Sequence, residues 1–220
     1  MSSAQFQPKS AGALLHPRPD DDGQPVLLLQ PSQPSSLAAW ADPSALACVI
    51  PNGPMPAELN GIALAPWADV PKTVAEWEAL AAREAIDEPA FVAPAEYKKA
   101  GGVVVREADG RVWLVAPSNG YGGYEATFPK GGLEGKSAQA TALVETFEES
   151  GLRVRLVQHL IDVKRSTSYT RYYLAERVGG SPAEMGWESQ AVMLVPTAQL
   201  QNVLNSPHDA AIVKRLASIR

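Results

Sequence analysis

The 220-residue chain, at 45 % apolar and 20 % charged residues, is long enough to bury a full core. Its net charge of −5 opposes a nucleic-acid binder that works by bulk phosphate neutralisation, and no apolar run reaches the roughly 18 residues of a membrane span. One cysteine, Cys48, precludes an internal disulfide, and His16, His159 and His208 show no ligand spacing, so a reducing cytoplasm is the expected setting.

Proline divides the chain: fourteen of the nineteen lie in residues 1–100. The start, Met1 to Pro8, has neither a basic nor an apolar leader region, so secretion is not expected. Asp20-Asp21-Asp22 followed by Gly23 reads as a solvated turn. Short strands are expected at Val26–Gln30, Ala47–Ile50 and Ile62–Ala65. Thr73 followed by Glu76 has capping-box spacing and predicts a helix to Glu84, with Trp77 and Leu80 on its apolar stripe. Asp87 to Ala100 reads as a linker, leaving 1–98 as a proline-rich accessory region and 99–220 as the main domain. The accessory region suits a small packed unit, a lid or a dimerisation element, so a homodimer is compatible.

In the second half, Asp109-Gly110 between two apolar runs (Gly102–Glu107 and Arg111–Val115) predicts a hairpin. A glycine- and tyrosine-rich loop, Ser118 to Tyr124, precedes a short strand at Ala126–Phe128. Ser137 to Ser150 predicts a helix that Gly151 ends. Strands follow at Arg153–Val157, Leu160–Val163, Tyr169–Ala175 and Ala191–Val195, then helices at Thr197–Leu204 and Pro207–Ser218.

The 137–150 helix carries the chemistry. Glu145, Glu148 and Glu149 stand at i, i+3 and i+4, so they share one face, while Ala140, Leu143 and Phe147 supply the core face. Clustered carboxylates repel unless water or a cation offsets them, and hard cations such as Mg²⁺ take oxygen ligands of this kind. A solvated acidic helix end is the alternative, although it opposes the helix dipole.

The run Phe128-Pro129-Lys130-Gly131-Gly132-Leu133-Glu134-Gly135, followed by Glu145, Glu148, Glu149, Gly151 and Leu152, resembles the box of the Nudix hydrolases. The resemblance spans about 99–220. It implies an α/β/α sandwich around a mixed sheet, with Mg²⁺ or Mn²⁺ held against a diphosphate that water cleaves. It also implies metal ligation by Glu145, Glu148, Glu149 and the Gly131 carbonyl, catalytic roles for Glu148 and Glu149, and a base or further ligand at Glu188. Three positions depart from the pattern: Val144 stands where the family has arginine, Lys136 or Ser137 where it has the first glutamate, and Thr146 where it has an aliphatic residue, and the loop is one residue shorter than the pattern.

Lys130, Arg165, Arg171, Tyr173 and Tyr124 are the candidate contacts to a small phosphorylated substrate. Cations would neutralise charge that the metals do not reach, and Arg171 and Tyr173 share a strand face. A hairpin tip with solvated cations is the competing reading of 164–171. The expected function is metal-dependent hydrolysis of a diphosphate or polyphosphate linkage. The substrate classes are a nucleoside diphosphate derivative, a dinucleoside polyphosphate or a diphosphoinositol polyphosphate. The alternative is a catalytically impaired Nudix-fold binding or sensor module.

Overall fold

The computed structural model describes residues 14–219, so the leader-free start expected at Met1–Pro8 lies outside the described residues. The N-terminal half contributes β1 (Leu14–Leu15), β2 (Leu27–Leu28), α1 (Leu37–Ala41), β3 (Ala47–Val49), β4 (Glu58–Leu59), β5 (Ile62–Ala63) and α2 (Val74–Arg83). Then come β6 (Lys98–Val105), β7 (Arg111–Pro117), β8 (Lys130–Gly132), α3 (Ala138–Ser150), β9 (Leu152–Lys164) and β10 (Ser168–Gly180). The chain continues through β11 (Ser189–Pro196), α4 (Leu200–Val203) and α5 (Ala210–Ala217).

Two sheets carry the fold. One is mixed, ordered β8-β6-β10-β9, with β10 parallel to β6 and antiparallel to β9. Tyr173, Ala175 and Val103 on one face join the buried cluster that includes α3, whereas Tyr172, Leu174 and Val104 on the other join the cluster with α5. Helices on both faces of a mixed sheet give the expected α/β/α arrangement. The second sheet is antiparallel, β3-β11-β7.

Local signals explain most boundaries. Thr73 and Glu76 form the reciprocal capping box of α2. Ser137 caps α3 by accepting from the Ala140 N–H, and Gly151, at φ 68°, ends it. A side chain at 151 would strike the Ser181 carbonyl, so glycine is required there twice over.

Three expectations are corrected. Asp109-Gly110 does turn the chain, with Gly110 at φ 87°, but the flanking runs meet only at an Arg106–Val112 bridge and then enter different sheets. Arg153–Val157 and Leu160–Val163 form one long strand, β9, because β10 pairs along its length through register shifts. Ala126–Phe128 makes only the Thr127–Val115 bridge, and the regular strand falls instead on Lys130–Gly132.

The proline-rich half is built into the same core. β3 pairs with β11, Val49 opposite Val192, and Trp40 packs against Trp113 at 6.0 Å between ring centroids. Trp67 and Trp77 both pack on Phe147 of α3. No helix among the described residues is long and apolar enough to cross a membrane.

Candidate active site

The acidic face of α3 is held against β8. Gly131 touches the Glu145 carboxylate so closely that a methyl group at 131 would overlap it. The Lys130 backbone N–H donates to Glu149 Oε2 at 3.0 Å, which fixes the second carboxylate to the same strand. A loop between β10 and β11 then closes on the end of the helix. The Gly186 N–H donates to the Glu148 carbonyl at 2.7 Å, and Ser118 N–H donates to the Glu188 carbonyl at 2.7 Å. Gly186 has no room for a side chain, because a Cβ would meet that same Glu148 carbonyl.

Glu145, Glu148, Glu149 and Glu188 thereby form one electrostatic group. Burial, with Glu149, Glu148 and Glu188 as like-charged neighbours, pushes the Glu145 carboxyl up to about 8. Burial also pushes Glu149 up to about 7, against the favourable charge and N–H of Lys130. Glu148 and Glu188 are raised as well, desolvation first and neighbouring carboxylates after it. Lys136 is the main cation opposing the rise at Glu148 and also acts on Glu145, so it partly offsets this charge.

The donor set is oxygen only, which suits a hard divalent cation, and the glycine at 131 lets the backbone reach it. Among the described residues, no three His, Cys, Asp or Glu side chains are already drawn together as a ligand set. Val144 points into the apolar core at 5 % exposure, so neither charge nor hydrogen bond reaches the carboxylates from that position.

The other candidate residues separate into two places. Lys130, Tyr124 and Arg165 are contiguous: both cations lie over the Tyr124 ring, at 5.1 and 5.4 Å from its centroid. Arg165 is nevertheless 3 % exposed, ion-paired to Asp209 at 2.7 Å and bonded to the Tyr172 hydroxyl at 2.9 Å. It is no solvated hairpin tip. Arg171 and Tyr173 do share a face, but that face is filled. Arg171 is fully buried in a two-point pair with Asp162, both contacts 2.8 Å, and also donates to the Pro89 carbonyl. Tyr173 donates to Glu88 at 2.6 Å. Both fasten the 88–90 segment to the sheet, and the charges around Tyr173 are Glu88, Arg171 and Asp162, not those of α3.

Sequence reasoning missed one element. The Asp20–Asp22 turn is exposed at Asp21 and Asp22, as expected, but it lies beside the acidic helix, where the Trp187 indole N–H donates to Asp21 Oδ1 at 3.1 Å. These residues are 166 positions apart, and nothing in the local sequence signals the meeting.

A family model described as NUDIX domain matches residues 96–216. Solved structures are similar at low identity. A nudix hydrolase family member from Chromobacterium violaceum is 22 % identical, with 57 % of this chain and 79 % of that chain covered and a TM-score of 0.45. An Ap4A hydrolase from C. elegans is 17 % identical over 55 % and 96 % of the two chains, TM-score 0.47. An ADP-ribose pyrophosphatase from Streptococcus suis is 17 % identical over 56 % and 93 %, TM-score 0.45. No curated protein matches the chain. The family match takes in the whole acidic helix, the Gly131 strand and the Glu188 loop, and the chain belongs to the Nudix family.

Proposed function

We propose that the protein is a divalent-metal-dependent hydrolase of a diphosphate or polyphosphate linkage in a small phosphorylated substrate, working in the cytoplasm. The observation that carries this reading is that Glu145, Glu148 and Glu149 of one helix and Glu188 of a separate loop act on one another as like charges, with the Glu145 carboxylate against Gly131 of the strand. Glu145, Glu148, Glu149 and the Gly131 carbonyl would hold Mg²⁺ or Mn²⁺. When bound, such an ion polarises phosphate oxygens and activates water. Glu188 takes the proton of the attacking water at its carboxylate, since it shares the group but comes from another element. Lys130 sets a positive charge beside Glu149 and Glu188, where it would meet a phosphate oxygen. Tyr124 extends that side of the site, its ring packed on the buried Arg165.

A screen of phosphate release over nucleoside triphosphates, ADP-ribose, dinucleoside polyphosphates and diphosphoinositol phosphates, with Mg²⁺ and Mn²⁺, tests the reading. Turnover of at least one class is expected, and Glu148→Gln should remove it while the fold persists. A chain inert with every substrate and both metals sinks the proposal.

Val144 supports a second reading, a binding or sensor module without turnover, because the apolar side chain leaves the acidic group without a guanidinium partner. It predicts ligand binding without hydrolysis. Activity gained by restoring arginine at 144 and glutamate at 136 would support it. Turnover by the unaltered chain would exclude it.

A further inference from the structure

The Asp20–Gln24 turn is built to keep one shape. Asp20 Oδ1 accepts from the backbone N–H groups of Asp22 and Gln24 at 3.1 and 2.7 Å, and the Asp20 N–H donates to the Gln24 carbonyl at 2.9 Å. The chains leaving the turn pair as β1 and β2. The hairpin is fastened to the main domain at separate points. Arg18 pairs with Glu184, Leu29 N–H donates to Asn119 Oδ1 at 2.6 Å, and Gln190 donates to the Gln30 carbonyl at 2.6 Å.

As a result Arg18, Pro19 and Asp21 line a cleft together with Glu148, Trp187 and Glu188. Its volume is about 230 Å³. Sites that hold a whole drug-sized ligand run to about 300–1,000 Å³, so this cleft takes one end of a substrate. Asp21 carries negative charge into it, and both Glu148 and Glu188 feel that charge. The cation of this turn, Arg18, is already paired with Glu184. An anionic group entering here therefore meets like charge, whereas an uncharged hydroxyl meets an acceptor oriented by the Trp187 indole.

We infer that the Arg18–Gln24 turn is a specificity-determining wall of the active site, in which Asp21 turns away an anionic end group and accepts a hydrogen bond from an uncharged, hydroxyl-bearing one. This rests on the proposed function for the chemistry next to it, but the selection itself is a property of binding.

The test compares ADP-ribose, which ends in a hydroxyl-bearing sugar, with ATP, which ends in a phosphate. Both are measured with Mg²⁺, as kcat/KM and, independently of turnover, as Kd by calorimetry. The wild type should favour ADP-ribose. Asp21→Asn keeps the shape and an acceptor oxygen, and should reduce that preference about tenfold, mainly by improving ATP. Trp187→Phe releases the Asp21 carboxylate and should move the preference the same way by less. A preference for ATP in the wild type overturns the inference. So does an Asp21→Asn variant, unchanged in Tm, that alters both ligands equally or neither, and so does failure of either nucleotide to bind at millimolar concentration. Absence of turnover alone defeats the proposed hydrolase and leaves the Kd ratio to judge the wall.

Discussion

Glu145 lies where a single added methyl on residue 131 would overlap its carboxylate, so the position of one acid depends on the absence of a side chain on another strand. Gly131→Ala should therefore displace Glu145 and lower kcat about a hundredfold, with little change in far-UV circular dichroism. The raised carboxyls also make a statement about stability. Free glutamate titrates near 4.3, while folding holds Glu145 near 8 and Glu149 near 7. Between those values the unfolded chain has released protons that the native state keeps, so metal-free stability falls as pH rises from about 4 through 8. Thermal unfolding should show Tm dropping over that window. Glu145→Gln, which removes one of the two titrations, should lessen the drop and raise Tm at pH 8. Added Mg²⁺ should raise Tm more at pH 8 than at pH 5, because ligation requires the deprotonated carboxylates. The spacing of Glu145, Glu148 and Glu149 was readable because helix periodicity fixes which side chains share a face. For Arg171 and Tyr173 the shared face was equally readable, yet what fills it was not. Glu88 and Pro89 reach it through the fold from about eighty positions away.

At the scale of elements, α3 begins and ends on local chemistry. Ser137→Ala removes the oxygen that accepts from the Ala140 N–H and should cost about 1 kcal/mol in chemical denaturation while leaving the metal dependence of activity in place. Helices were the legible elements for this reason: caps act within four residues, and a glycine at φ 68° terminates whatever precedes it. Strands were less so. The Asp109-Gly110 turn formed as expected, yet its two arms take partners from β8 and β10 on one side and β11 on the other. A turn sets chain reversal, while ladder partners are set by which apolar faces must be covered. The pairing of β9 along thirteen residues likewise follows from β10, whose register shifts absorb the interruption that Gln158 and His159 suggest in the sequence.

For the whole molecule, the compositional division at about residue 98 does not coincide with a division of the core. Trp40, Val49 and Trp77 are buried in one cluster with Trp113, Val144 and Val192. Removing residues 1–98 would strip β3 from its sheet and expose Trp113 and Phe147. The truncated chain should aggregate or unfold, and the full chain should unfold in one cooperative transition by calorimetry. The sequence by itself determined the acidic helix, its caps and the Nudix resemblance, because each rests on spacings within a few turns of chain. Only the tertiary structure decided that Glu188 joins that helix and that Arg171 and Tyr173 fasten a linker. It alone brought an N-terminal aspartate to face the cleft. Those meetings depend on packing between segments up to 166 positions apart, and burial and sheet pairing select them with no local signature.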